Sequence, residues 1–215
     1  MKEPAIDSTI SSLKNVVTIV AGLAITNAII TVFVVNNVAD FKRLTIDTSL
    51  LFFLFILNVI RFHHGNVRHL DTTYTSDPGK VAIVHKPVGA SGKTALDFFV
   101  IFFQSVVFAV LSFLLKQPNS FFALFAALIA VDVLWYLAVH GMVTDKSRFL
   151  HQKRWSINNV ATLLALLIVL AHSARIANSF HFYICFFLVL LNTVVDFAIS
   201  WEFYFPAVRS HSSEE

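Results

Sequence analysis

Between residues 58 and 71 the chain reads NVIRFHHGNVRHLD, which places Arg61, His63, His64, Arg68 and His69 directly after the apolar run SLLFFLFIL. Imidazoles on neighbouring helices ligate haem when they face one another at similar depth. His63 or His64 with His140 meets that depth requirement at one end of the apolar segments, and His172 with His181 meets it at the other. A haem-binding electron-transfer protein is therefore one reading, although adjacent His63 and His64 point about 100° apart on a helix. PVGASGKT, residues 87–94, follows a β-rich run and opens a helix, the setting of a phosphate-binding loop. Pro87 stands where that pattern needs its first glycine, and no residues remain for a parallel sheet, so only an anion-friendly turn of Gly89, Gly92 and Lys93 is expected. No H-E-x-x-H or G-x-S-x-G pattern occurs, and enzymatic activity is not expected.

The elements that position these residues follow from composition. Of 215 residues, 57% are hydrophobic, 23 are Phe and only 13% are charged, more apolar surface than a soluble domain buries. A bilayer helix needs about 20 mostly apolar residues. Segments 15–37, 48–64, 96–115, 119–141, 156–177 and 181–204 meet that length, so the fold class expected is an all-α polytopic membrane protein with six transmembrane helices. The lone Cys185 rules out an intramolecular disulfide.

Lys and Arg accumulate in cytoplasmic connections. With the N-terminus inside, Lys2, Lys14, Arg61, Arg68, Lys80, Lys86, Lys93, Lys146, Arg148, Lys153, Arg154 and Arg209 fall on the inner side. Lys42, Arg43, Lys116 and Arg175 fall outside, so both termini are expected in the cytoplasm. Residues 1–14 read as a cytoplasmic amphipathic segment, 15–205 as the transmembrane domain and 206–215 as a cytoplasmic tail. Within loop 65–95, TTYT and KVAIVH flank the turn cluster SDPG and predict a short β-hairpin. Loop 144–155, TDKSRFLHQKRW, is basic and suits anionic lipid headgroups or an anionic messenger or nucleic acid.

A charge at membrane depth costs at least ~2.5–3.5 kcal/mol and faces protein or water. Arg61, Asp97, Asp132 and Asp196 are therefore expected to form an ion-pair network, with Arg61 paired to Asp97 or Asp196. The first helix is free of charge and nearly free of Phe but carries Gly22, Asn27 and Thr31, which predicts a pore lining in an oligomer with Asn27 or Thr31 as its waist. Arg68, His69, Lys86, Lys93, Lys153 and Arg154 fall on one membrane face and predict an anion-binding cytoplasmic rim.

Six spans with both termini inside, His63 and His64 ending the second helix, and WYLAVH ending the fourth resemble the bacterial and lysosomal six-helix potassium channels that lack a re-entrant selectivity loop. That family's Arg followed by Phe-Ser-Asp at the start of the first helix has no counterpart in SSLKNVVTIVAGLAITN. The resemblance implies a tetramer whose first helix lines an ion pathway. In format the chain also resembles membrane effectors of bacterial antiphage systems. The expected function is thus an ion-conducting homo-tetramer of a bacterial inner membrane, gated from its basic cytoplasmic face and using no cofactor, with haem bound by His63 or His64 and His140 as the alternative.

Overall fold

Helix α1 spans Glu3–Phe33 in the computed structural model, which describes residues 3–35, 38–39, 44–74, 90–142, 150–172 and 178–205. It is one uninterrupted helix that runs through residue 14, where the transmembrane domain was expected to begin. Ile10, Leu13 and Val17 recur at helical spacing and bury against Leu70 and Ile101, which draws the N-terminal segment into the bundle instead of leaving it flat on a membrane surface. A two-residue antiparallel pair, β1 (Val34–Val35) with β2 (Val38–Ala39), follows it.

Helix α2 covers Ile46–Tyr74. Thr45 caps it, its Oγ1 accepting the Thr48 N–H at 3.2 Å while Asp47 sits in the positive first turn. It runs ten residues past the end expected at 64, so Thr72, Thr73 and Tyr74 are helical and the first strand of the expected hairpin does not form. Tertiary anchors outweigh the β preference of TTYT: Leu70 is buried, Asp71 pairs with Lys14, and His69 reaches Asp97. The remaining hairpin residues, KVAIVH included, lie outside the described residues.

Helix α3 (Ala90–Phe113) takes ASGKT into its first turns, so Gly92 and Lys93 are helical and do not form the expected anion-binding turn. Leu111 and Leu114 carbonyls close a tight connection to α4 (Pro118–Met142), which Pro118 opens at a position where a missing N–H costs nothing. Helix α5 (Leu150–Ala171) absorbs Lys153 and Arg154, both exposed, from the stretch read as a loop. Helix α6 (Asn178–Ile199) stops at Ser200 and restarts as the short α7 (Trp201–Tyr204), where one continuous helix was expected.

Six of these helices are long and apolar enough to cross a membrane: Ser8–Phe33, Ile46–Asp71, Ala95–Phe113, Pro118–Val139, Lys153–Ala171 and Phe180–Ile199. The chain is an integral membrane protein with a helical bundle fold. Contacts close a ring in the order α1, α3, α4, α5, α6, α2 and back to α1. Ala24 and Ala28, fully buried, let α1 approach closely, while Phe55, Phe108, Phe121, Phe122, Phe125, Phe182 and Phe186 fill the apolar half of the interior. Phe53, Phe99, Phe102, Phe113, Phe180 and Phe187 point outward, as suits a lipid-facing surface.

Candidate functional site: a polar core shared by five spans

The other half of the interior is polar. On α2, Arg61, Gly65 and His69 recur at four-residue spacing and share a face, as Asn192 and Asp196 do on α6 with Ser200 just past its end. Arg61, 2% exposed, donates Nε to Asp196 Oδ2 at 2.6 Å, Nη1 to Asn192 Oδ1 at 2.5 Å and Nη2 to Asn159 Oδ1 at 3.2 Å. One planar guanidinium thus ties α2 to α5 and α6. Its carbon also lies 5.1 Å from the centre of the Phe62 ring.

Asp196 additionally accepts the Tyr204 hydroxyl at 2.8 Å and Ser200 Oγ at 3.4 Å. Tyr204 lies beyond the last span, and its phenol is held above the usual tyrosine range, first by burial and then by the neighbouring carboxylate. It therefore stays protonated and donates. The break at Ser200 is what turns Tyr204 back toward Asp196, and Gly65 leaves room for the ring: a Cβ there would sit 3.4 Å from the Tyr204 hydroxyl.

Asp132 of α4 joins this cluster through amides. Asn159 Nδ2 donates to its Oδ2 at 3.4 Å, and Gln104 Nε2 of α3 donates to its Oδ1. Asn66 continues outward, its Nδ2 on Gln104 Oε1 at 2.9 Å. Asn192 Nδ2 also bonds Asn159 Oδ1 at 3.0 Å, and Asn158 donates to the Asn192 carbonyl. Asp97 belongs to a neighbouring group, where His69 Nε2 approaches its Oδ2 at 3.0 Å and the Trp135 indole donates to its Oδ1 at 2.8 Å. Of the two carboxylates the sequence offers Arg61, the structure uses Asp196.

The residues expected to form the rim have different settings. His69 is buried against Asp97, and Arg68 donates Nε to the Phe203 carbonyl at 3.1 Å, holding α2 to the C-terminal turn. Lys153 and Arg154 are exposed, whereas Lys86 and the Lys93 side chain lie outside the described residues. Of the residues expected to line a pore, Asn27 donates Nδ2 to Ser112 Oγ on α3 at 2.7 Å, and Thr31 is half-buried. Gly22 remains on the outward face of α1.

The histidines have individual settings. His63 Nε2 lies 3.0 Å from Thr18 Oγ1, and His64 Nε2 lies 2.9 Å from the Tyr204 carbonyl, its ring stacked on Tyr204 and Phe205. His172 is exposed and bonds the Ile168 carbonyl, while His181 is buried 3.9 Å from Cys185 Sγ. The His140 side chain lies outside the described residues. Among the described residues no group of three or more His, Cys, Asp or Glu side chains is placed to hold a metal ion.

Asn192, Gln104 and Tyr204 are the core members that the sequence reading passed over. Their signal is spacing: Asn192 precedes Asp196 by one turn, Gln104 follows Asp97 by two, and Tyr204 follows Ser200 by four residues. No protein-family model matches the chain, and no curated protein or solved structure shows significant similarity to it.

Proposed function

We propose that the protein is an oligomeric, channel-like membrane protein whose ion pathway runs between copies, along α1. The observation that carries this reading is the outward face of α1. Ser8, Ser11, Asn15, Thr18, Gly22 and Thr26 are all exposed and fall within roughly 120° of arc. The exposed face of α5 is ordinary lipid-facing surface, with Ile157, Val160, Leu164, Leu167 and Ile168. Thr26 turns its hydroxyl proton onto the Gly22 carbonyl, leaving its oxygen as an outward acceptor, whereas the Thr18 oxygen, its proton on the Lys14 carbonyl, meets His63 Nε2. The stripe also holds Ile29 and is bordered by the exposed Val16, Ile19, Leu23 and Ile30, which suit lipid or a neighbouring copy, while its small and hydroxyl side chains suit a narrow aqueous path.

The excess of Lys and Arg on the connections read as internal puts both termini in the cytoplasm and sets Lys153 and Arg154 on that face, available to an anionic ligand or to lipid headgroups. A tetramer would follow the six-helix potassium channels that the chain resembles, and a bacterial inner membrane and a defence role would follow its other likeness. Reconstituted into liposomes, the protein should pass monovalent cations, and Thr26→Cys should make that flux sensitive to aqueous thiol reagents. Leu164→Cys on α5 should not, and Asn27→Leu should leave flux unchanged. Thiol block through Leu164→Cys but not Thr26→Cys would remove α1 from the pathway, and absence of flux would sink the reading.

A further inference from the structure

Among the described residues the charges buried in the bundle do not balance: Asp97, Asp132 and Asp196 face one permanent cation, Arg61, and one conditional one, His69. Even with His69 charged, one negative charge remains. His181 is the other buried imidazole among the described residues, but it lies fifteen residues from Asp196 along α6, about 22 Å at 1.5 Å per residue. An unbalanced charge at membrane depth is costly, and a carboxylate removes it by taking up a proton.

Geometry selects the site. Asp196 takes Arg61, and Asp97 takes His69 and Trp135. Asp132, 2% exposed, receives only amide N–H groups, from Gln104 and Asn159. The helices packed on α4 are α3, α5 and α6. From α3 the facing groups are Gln104 and, beside Trp135, Asp97; from α5, Asn159; from α6, Asp196. Arg61 of α2 acts on Asp132 across Asn159.

We propose that Asp132 is a proton-binding site within the membrane, with the proton on Oδ1 and donated to Gln104. Asn159 cannot be the acceptor. Its Oδ1 is committed to Arg61 and to Asn192, which fixes its Nδ2 toward Asp132 Oδ2. Gln104 is free of that constraint, because a primary amide turned through 180° keeps its shape and exchanges donor for acceptor. In the ionised form Gln104 Nε2 donates to Asp132 and Oε1 accepts from Asn66. In the acid form Oε1 accepts the Asp132 O–H and Nε2 donates to Oδ1 of a similarly turned, half-buried Asn66. Uptake of one proton takes the cluster from one net negative charge to none and reverses the Asn66–Gln104 chain.

The test uses the full chain in phosphatidylcholine–phosphatidylglycerol vesicles at neutral pH. Infrared spectra should show the C=O stretch of a neutral carboxylic acid, shifted on exchange into D2O. Asp132→Asn should remove it with the melting temperature retained, since the amide is isosteric and uncharged. A spectrum without that band, or a band surviving Asp132→Asn, overturns the assignment. If Asp132→Asn fails to fold, the chain carrying [4-13C]Asp decides instead. One carboxyl resonance at the neutral-acid position that moves in Gln104→Met supports the site, whereas side-chain resonances all at the ionised position, or one unmoved by Gln104→Met, overturn it.

Discussion

Replacing Arg61 by Met removes three donated hydrogen bonds, to Asp196, Asn192 and Asn159, from a site only 2% exposed. Neutral hydrogen bonds between membrane helices average ~0.6 kcal/mol each, so bond counting alone gives a loss of about 2 kcal/mol. The larger effect is what stays behind. Asp196 would retain only the Tyr204 and Ser200 hydroxyls, both neutral, for a buried carboxylate. Breaking a buried pair by removing one member costs ~3–5 kcal/mol, because the survivor is an uncompensated charge. Arg61→Met and Asp196→Leu should each fall in that range, while the double variant should cost less than either, since neither charge then remains. Reversible unfolding in bicelles, read as a double-mutant cycle, gives the coupling directly. Singles below ~1 kcal/mol, or a double equal to their sum, would refute the claim that Arg61 is held by charge pairing.

Gly65→Leu should detach α7 and lower the melting temperature by the equivalent of ~1–3 kcal/mol, the usual cost of overpacking, because Tyr204 atoms lie 3.4–3.9 Å from where even a Cβ would stand; Gly65→Ala should be far milder, and equal effects would argue against that contact. Folding raises the Tyr204 phenol's hold on its proton, so its contribution to stability is complete below the ordinary tyrosine pKa of about 10 and is lost as pH rises beyond it. Tyr204→Phe should flatten that alkaline limb of a melting-temperature profile and cost ~1 kcal/mol at neutral pH for the lost bond to Asp196; an unchanged limb would assign the alkaline loss to another group.

Span number and approximate placement were legible because length and hydropathy alone decide whether a helix crosses a bilayer. Arg61 and the three aspartates stood out for the same reason, as charges where charges are costly. The far ends of helices were not legible. TTYT and ASGKT carry no strong helical signal, and their helicity is set by partners distant in sequence, such as Lys14 for Asp71 and Asp97 for His69. Asn27 was legible as a polar residue but not as a partner of Ser112, 85 residues away. The stop at Ser200 has no Pro or Gly to announce it, and shows only in the way Tyr204 folds back on Asp196.

In a bilayer, apolar side chains are as content against lipid as against one another, so the many Phe residues here say little about how each helix is rotated. Orientation must come from directional contacts. Arg61 fixes the mutual rotation of α2, α5 and α6, and Asp132 and Asp97 extend that frame to α3 and α4. Three polar ties of α1 go elsewhere: Lys14 to Asp71, Thr18 to His63 and Asn27 to Ser112. None of these three partners belongs to the Arg61 cluster, and the Lys14 pair is part-exposed, a class worth only ~0.2–1 kcal/mol. Shifting α1 against the other five helices disturbs these ties and the packing of Ile10, Leu13, Val17, Ala24 and Ala28, whereas shifting any other span breaks a charged hydrogen bond or one of the amide links to it. If conduction follows the outward face of α1, the helix that would have to move is also the one tied outside the Arg61 cluster.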